Sequence, residues 1–436
     1  MKQGSACEEA RVALKHLFFS LFLLIGDPVI AAVERVTTDD GAEITMPVHP
    51  ASGDRLFLWL PSEAGPQAND VTIAEGLAQA GVEVWRADPV EARFLPHAPS
   101  SLDQLPEGDV SALLAHAAKH TRKRLFVVTT GRGVIPVLRG VRYWQTTAAD
   151  SARLKGVILL SPNFFVETPD PGVDAVLMPI VGASNVPLYI LQPERSPWYW
   201  KLDQTIPALE RGGSDVFVRL LREVRDRFDF RPDATQAEDA LRDQLPSLLL
   251  TAAAALERLP PKRRDAVAMQ QPQPAAREGK KERELLPYRG DPAPPPLELE
   301  DLAGRKKTLA DYAGRVALVN FWASWCPPCV HEMPSMERLS ARLAGEPFVI
   351  LGVNMAEPPD AVREFLGALQ ETQTAVTFPI LLDRDGAALK GWRVFAFPTS
   401  FVIDKKGRIR YALFGAMEWD DESVVEKIRA LVRESD

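Results

Sequence analysis

A proline-rich segment near the middle of this 436-residue chain sets the first limit on its fold. Nine of the 37 prolines lie between residues 258 and 296, where Tyr288 is the only aromatic residue. Proline has no backbone N–H and a fixed φ angle, and the segment offers few large apolar side chains, so it cannot build a core of its own. We therefore predict a semi-rigid linker over 256–296 that separates a first unit, residues 33–255, from a second unit, residues 297–436.

The overall composition excludes several classes of protein. Hydrophobic residues make up 46% and charged residues 25% of the chain, ordinary globular values that exclude a wholly disordered, collagen-like or polytopic membrane protein. The 51 basic and 59 acidic residues give a net charge of −8. Because nucleic-acid binding needs a positive surface, we expect no nucleic-acid partner.

The amino terminus has the residue order of a secretory signal. Basic residues precede an apolar run over 17–25, and small residues follow up to Ala32. The run is shorter than the about 20 residues that a membrane-spanning helix needs. We therefore expect residues 1–32 to be a signal peptide and the protein to be periplasmic or secreted. An uncleaved signal that tethers the protein to a membrane, or a buried core helix, is the alternative.

Both units alternate strand-like and helix-like segments, which is typical of an α/β fold with a largely parallel sheet. The strands predicted for the first unit are 55–60, 82–85, 124–128, 156–160 and 187–191, with helices over 71–80 and 110–120. The strands predicted for the second unit are 316–321, 348–353, 378–382, 399–403 and 409–414, with a final helix over 420–433.

The second unit carries a lone CxxC pair. The chain has three cysteines, and Cys7 lies in the predicted signal, which leaves Cys326 and Cys329. An apolar strand delivers Cys326 to the start of a predicted helix, where unpaired amides and the positive end of the dipole favour a thiolate. Cys329, one turn later, is placed to attack a mixed disulfide on Cys326. We predict that the two form a redox-active disulfide, with Cys326 as nucleophile and Cys329 as resolving thiol.

Several separated motifs surround this pair. They are Trp322-Ala-Ser-Trp-Cys-Pro-Pro-Cys329, Glu332 followed by Pro334, Gly352-Val-Asn, Asp383-Arg-Asp-Gly386 and Phe397-Pro-Thr-Ser-Phe-Val-Ile-Asp404. Together they resemble the TlpA-like branch of the thioredoxin fold, the bacterial periplasmic thiol:disulfide reductases. The resemblance runs from about Pro294 to the end and implies a thioredoxin fold for the second unit.

The resemblance also implies roles for further residues. Pro398 is expected to be a cis-proline that lies against the dithiol and presents its backbone to an extended substrate, with Trp325 and Phe397 completing the substrate-binding set. Thioredoxin has a buried Asp on the strand before its motif, where this chain has Asn320. Glu332 matches the acid of TlpA-like reductases, and we expect it to accept the proton of the resolving thiol.

Structural alternatives stand beside these roles. A CxxC pair can be half of a zinc site, but no partner pair of Cys or His occurs and His331 is the only histidine nearby, so neither a metal nor a cofactor is expected. Glu332 can instead be a solvated helix residue, Pro398 a trans turn proline, and Trp325 a packing wall beside the thiols.

The segment Leu125-Phe-Val-Val-Thr-Thr-Gly-Arg-Gly-Val-Ile-Pro136 of the first unit looks like the nucleophile elbow of an α/β-hydrolase, and the strand order over about 45–250 fits that fold. Gly131, however, takes the place of the nucleophile, and no histidine occurs between His120 and His331. Thr130 lies beside the position but has no base to activate it. We predict a hydrolase-like domain without catalytic activity.

The leading hypothesis is a thiol:disulfide oxidoreductase that reduces disulfides of protein clients and receives electrons from an upstream thiol donor, which a membrane-embedded protein could supply. One alternative is a client-binding or scaffold protein whose first unit recognises a partner, with the run 195–200 as a contact surface or a packed loop. In that case the thiol unit oxidises or isomerises disulfides. A hydrolase acting through Thr130 is the third hypothesis.

Overall fold

The computed structural model describes residues 32–147, 151–260, 262–269, 284–372 and 375–435. Residues 1–31, nearly all of the predicted signal, lie outside the described residues. Within the described ranges, no helix is both long enough and apolar enough to cross a bilayer. The described chain is organised around two eight-stranded sheets.

The first sheet contains the five predicted strands and three more. Its strands are β1 (Val33–Thr37), β2 (Glu43–His49), β3 (Arg55–Leu60), β4 (Val82–Arg86), β5 (Arg124–Thr130), β6 (Leu154–Leu160), β7 (Leu188–Arg195) and β8 (Val216–Arg225). Their order is β1-β2-β4-β3-β5-β6-β7-β8. The β1–β2 and β2–β4 pairs are antiparallel, and every other neighbouring pair is parallel.

Helices cover both faces of this sheet, so its central strands are continuous apolar runs. The helices are α1 (Ala68–Gln79), α2 (Pro89–Ala92), α3 (Pro99–Gln104), α4 (Glu107–His120), α5 (Val134–Thr147), α6 (Leu202–Gly212), α7 (Gln236–Asp243) and α8 (Leu245–Glu257). Successive residues of β5 point to opposite faces: Val127 belongs to the core under α4, α5 and α6, whereas Phe126 and Val128 belong to the core under α1 and α8.

The second sheet is mixed. Its strands are β9 (Leu286–Pro287), β10 (Glu298–Asp301), β11 (Lys306–Thr308), β12 (Val316–Trp322), β13 (Phe348–Met355), β14 (Ile380–Asp383), β15 (Thr399–Ile403) and β16 (Ile409–Phe414), in the order β11-β10-β14-β13-β12-β15-β16-β9. The prediction of a largely parallel sheet is wrong here, because only β12–β13 and β13–β14 pair parallel. Residues 404–408 between β15 and β16 are too few for a parallel crossover, which forces an antiparallel pair.

Four helices cover the second sheet: α9 (Pro327–Arg342), α10 (Pro359–Thr372), α11 (Ala387–Gly391) and α12 (Glu422–Arg433). Apolar side chains of α9, α10 and α12 share one core with alternate residues of β12, and α11 packs on the opposite face. The predicted final helix over 420–433 is present and begins two residues later, after Asp421.

Both described ends of the proline-rich segment, predicted as a semi-rigid linker over 256–296, pack against the folded units. On the first unit, the side-chain amide of Asn185 donates to the carbonyl of Asp265 at 2.6 Å. On the second, Leu285 is buried and β9 pairs with β16. Leu285 supplies enough apolar surface to join the core even though prolines follow it.

The turn between β5 and α5 generates a prediction about stability. A Cβ added at Gly133 would lie 2.6 Å from the carbonyl oxygen of Pro61, with the Thr129 hydroxyl nearer still. We expect Gly133→Ala to lower the free energy of unfolding by about 1–3 kcal/mol, measured by urea denaturation, because backbone must shift to make room. Gly108→Ala in α4 is the control, since its added Cβ would meet no atom within 4 Å. Equal stability of the two variants would contradict the close packing of this turn.

Candidate active site

The two cysteines lie at the start of α9. Cys326 is the N-cap of this helix, and Pro327 and Pro328 follow in its first turn, where amides have no partner inside the helix. The sulfurs of Cys326 and Cys329 are joined in a disulfide. The Cys329 amide donates a hydrogen bond to the Cys326 sulfur at 3.3 Å. This amide and the positive end of the helix dipole both favour a thiolate on Cys326 once the disulfide is reduced.

The two sulfur-bearing residues differ in access to solvent. Cys326 is 7% exposed and Cys329 is 1% exposed. An incoming sulfur therefore meets Cys326 first. The difference fits Cys326 as the attacking thiol and Cys329 as the resolving thiol, and both roles stay predictions.

Glu332 is fully buried, three residues after Cys329 and on the same side of α9. The side-chain amide of Asn320 donates to its Oε1 at 2.8 Å, and the indole N–H of Trp419 donates to its Oε2 at 2.9 Å. Burial raises the pKa of Glu332 to about 7, although these two hydrogen bonds favour the carboxylate and lower it. The alternative of a solvated helix residue is wrong, and the carboxyl group can exchange a proton near neutral pH.

Strand β15 brings the predicted substrate-binding residues beside the dithiol. The Phe397–Pro398 peptide bond is cis, as the resemblance implies, and the pairing of Phe321 with Thr399 sets the end of β12 beside the start of β15. Trp325 and Phe397 meet edge to face, with their ring centroids 5.7 Å apart. The fold therefore gathers Trp325, Phe397 and Pro398 at one place, and their role in binding substrate stays a prediction.

The sequence reasoning missed a polar clamp on the loop before Cys326. Glu357 is buried, and its Oε2 accepts from the Ser324 amide at 2.8 Å and from the Asn354 side chain at 2.7 Å. The Ser324 hydroxyl donates to the other carboxylate oxygen. The position of Asn354 could have indicated this clamp. Asn354 pairs with Trp322 at the ends of two parallel strands, the edge at which α/β sheets commonly form their sites.

Trp419 was missed for a different reason. Its indole contacts Glu332, which lies 87 residues earlier in the sequence. Its backbone amide donates a hydrogen bond to the hydroxyl of Ser335 on α9 at 3.0 Å. No local motif marks Trp419 as part of the site. Only the packing of the segment before α12 against α9 reveals it.

The described residues hold no group of three or more His, Cys, Asp or Glu side chains able to bind a metal ion. The side chain of His331 is 80% exposed and approaches Glu418 at 3.9 Å. Among the described residues, therefore, the two cysteines have no further side chains beside them that would complete a zinc site.

The carboxylate of Glu63 lies against the turn after β5 in the first unit, at the glycine that takes the nucleophile's place in the predicted elbow. Gly131 has a φ of 56°, and a Cβ added there would lie 2.7 Å from Oε2 of Glu63. The same oxygen accepts from the Arg132 amide at 2.8 Å, and Oε1 accepts from the Arg227 side chain at 2.6 Å. Thr130, at the end of β5, is 6% exposed. Glu63 thus takes up the Arg132 backbone amide with its own negative charge.

Comparison with known proteins concerns the second unit. Residues 289–428 match the Redoxin family. The thiol-disulfide oxidoreductase ResA of Geobacillus thermodenitrificans is 38% identical over 127 residues, which are 29% of this chain and 70% of that protein. ResA of Bacillus subtilis is 31% identical over 139 residues, 32% of this chain and 73% of that protein.

Among solved structures, StoA from Bacillus subtilis is 25% identical, matching 33% of this chain and 99% of its own with a TM-score of 0.27. The relatives in sequence carry the assignment, because they are matched over more than two thirds of their own length. Through its second unit, which has the thioredoxin fold, this chain belongs to the ResA family of thiol-disulfide oxidoreductases.

Proposed function

We propose that this protein is a periplasmic or secreted thiol:disulfide oxidoreductase that reduces disulfides of protein clients. The observation that carries the proposal is the Cys326–Cys329 pair at the start of α9, with the buried Glu332 one turn further along. The exchange of thiols and disulfides needs no cofactor. The named activity of the relatives supports the chemistry.

In the reducing direction, the Cys326 thiolate attacks one sulfur of the client disulfide, and the other client sulfur leaves as a thiolate. Glu332 then takes the proton of the Cys329 thiol, and the freed Cys329 sulfur attacks the Cys326 sulfur. The bond to the client breaks, and its second sulfur leaves. The client has gained two electrons, and Cys326 and Cys329 have lost them in forming their disulfide. An upstream thiol donor, such as a membrane-embedded protein, must return two electrons.

The location rests on the signal-like order of residues 1–32. A CxxC pair outside the cytoplasm lies in an oxidising compartment, where it needs a dedicated source of electrons to act as a reductant. This requirement supports the upstream donor in the proposal.

For the first unit we propose an α/β-hydrolase-like fold over residues 33–255 that has no hydrolytic activity. The strand order and the sharp turn at Gly131 support the fold. Glu63 at that turn supports the lack of activity, because its carboxylate fills the space of a nucleophile and repels an oxyanion. The alternative of a client-binding or scaffold protein draws on the same unit, with oxidation or isomerisation at the dithiol.

The client can be trapped. We expect Cys329→Ser, expressed in the full chain, to accumulate a mixed disulfide between Cys326 and its client, because the resolving sulfur is missing. Non-reducing electrophoresis followed by mass spectrometry identifies the adduct. The double variant Cys326→Ser with Cys329→Ser is the control and should form none. If Cys329→Ser yields no adduct with any protein of its compartment, the proposal of protein clients is wrong.

The midpoint potential decides the direction. The potential is measured by equilibration with glutathione or dithiothreitol buffers. For a reductant we expect a midpoint potential closer to that of thioredoxin, about −270 mV, than to that of a strong oxidant, about −120 mV. A value near the oxidising end would overturn the reducing direction and favour the oxidase alternative, while leaving the chemistry of the cysteines intact.

Glu332 makes the stability of the oxidised protein depend on pH. Its folded pKa of about 7 lies above the ordinary value of 4.5 for a glutamate, so the folded state binds the proton more tightly than the unfolded state. The stabilisation is fully present below pH 4.5 and is lost as the pH rises through about 7. We expect the free energy of unfolding to fall by about 3 kcal/mol over this range, measured by urea denaturation.

Glu332→Gln is the matched variant, because glutamine keeps the shape of the side chain and carries no titrating proton. Its stability should lack this fall with pH, even if its absolute value is lower. The same variant should also resolve a preformed mixed disulfide on Cys326 more slowly at pH 7 to 8, because Cys329 has lost its base. An unchanged pH dependence of stability would contradict the raised pKa of Glu332.

A further inference from the structure

The two units meet at an aromatic cluster beside the predicted substrate-binding loop. Phe395 of the second unit is 5% exposed and contacts two rings of the first unit. Its centroid is 5.2 Å from that of Phe165, at an interplanar angle of 86°, and 5.4 Å from that of Trp198, at 69°. Phe165 and Trp198 stack on each other at 6.0 Å. We call these three residues the aromatic clamp. Edge-to-face pairs of this kind are favourable beyond the area that they bury.

Pairs of opposite charge join the two units beside the aromatic clamp. Lys390 of the second unit pairs with Asp203 of the first at 2.8 Å, and Arg393 of the second pairs with Asp174 of the first at 3.4 Å. In addition, the ammonium of Lys201 lies 5.7 Å from the centroid of the Phe395 ring. An apolar centre with a charged rim is the usual organisation of a specific protein interface.

In the first unit, Arg132 in the turn after β5 fixes the backbone around Phe165 of the aromatic clamp. Arg132 is 3% exposed, and its guanidinium donates to the carbonyls of Phe165 and, at 3.0 Å, Val166. The same guanidinium pairs with Asp103 at 2.8 Å. Phe165 follows β6 and Trp198 follows β7, so both stand at the carboxyl edge of the sheet. This edge, where α/β folds commonly build ligand sites, here contacts the second unit.

On the side of the second unit, the segment after Phe395 leads to the loop that carries the dithiol. Phe395 is three residues before Pro398, and the Thr399 hydroxyl donates to the carbonyl of Ala396 at 2.7 Å. Phe397 contacts Trp325, the neighbour of Cys326. The segment 395–398 is therefore fixed by the first unit at one end and by the dithiol loop at the other.

We propose that Phe165 and Trp198 are positioning residues for the exchange reaction. By holding Phe395, they hold the segment through Pro398 in the shape that an extended client peptide binds, so the first unit sets the affinity for protein disulfides. The inference rests on the proposed function in one respect, which is that protein clients bind along Pro398. It gives the catalytically silent unit a part in the reaction without any contact with the reacting sulfurs.

The proposal separates client binding from sulfur chemistry. The groups that tune the dithiol, the Cys329 amide and Glu332 with its partners, all belong to the second unit. Loosening the aromatic clamp should therefore weaken binding of a protein disulfide without changing the midpoint potential. A small disulfide that needs no peptide groove should react as before.

The experiment uses the full chain with Trp198→Ala and, from the opposite side of the contact, Phe395→Ala. Each variant is assayed with insulin as a protein disulfide and with 5,5′-dithiobis(2-nitrobenzoate) as a small one. We expect KM for insulin to rise about twofold to tenfold with kcat unchanged, and the small-disulfide rate and the midpoint potential to stay at the values of the unchanged protein. In the double variant, KM for insulin should rise no more than in the more strongly affected single variant, because both substitutions break the same contact.

Tyr143→Ala is the matched control, an aromatic residue of α5 in the first unit that is 36% exposed. An unchanged KM for insulin in Trp198→Ala and Phe395→Ala would overturn the inference. A rise of equal size in Tyr143→Ala, or a parallel loss of the small-disulfide reaction, would overturn it too, since either shows general damage. If the unchanged protein reacts with the small disulfide but exchanges with no protein disulfide, the proposed function fails and the inference fails with it.

Discussion

The antiparallel pairing of β12 with β15 is the constraint on which the active site depends. It sets Asn320 opposite Ser400 and Phe321 opposite Thr399, so the end of β12 and the start of β15 lie side by side. The loop with Cys326 leaves β12 at this edge, and the cis bond at Pro398 enters β15 there. A slip of one residue would exchange the two buried faces of β12 between the two cores and remove Asn320 from Glu332. The register thus links the thiol chemistry to the peptide-binding segment.

A neutral environment around Glu332 is the second organising element. Its hydrogen-bond donors, the Asn320 amide, the Trp419 indole and the Met417 backbone amide, are all uncharged. No Lys, Arg or His side chain within the described ranges pairs with this carboxyl group, so burial outweighs the hydrogen bonds and its pKa rises. An Asp at position 320 would place a second acid next to Glu332. The asparagine instead provides a donor that orients the carboxyl group and leaves one proton to be exchanged.

The sequence predicted those parts of the structure that depend on interactions between neighbouring residues. The apolar runs of β3 and β12 and the cysteine spacing at a helix start were readable, because burial on both faces and helix capping leave a signature in adjacent residues. Strands β1 and β2 were missed although their alternation of exposed and buried residues is a strand signal, and β9, with two residues, is too short to leave one. Glu357, Trp419 and Phe395 act through contacts distant in sequence, which no periodicity reveals.

The anchored ends of the proline-rich segment have a consequence for the contact between the units. Met269 packs on the first core and Leu285 belongs to the second, so 15 residues, 270–284, connect them. A chain of this length reaches at most about 55 Å, so units that separate remain close neighbours. Their effective concentration is then on the millimolar scale. The short connection therefore lowers the entropic cost of the contact, so the aromatic clamp and its ion pairs need not supply the affinity that two separate proteins would require.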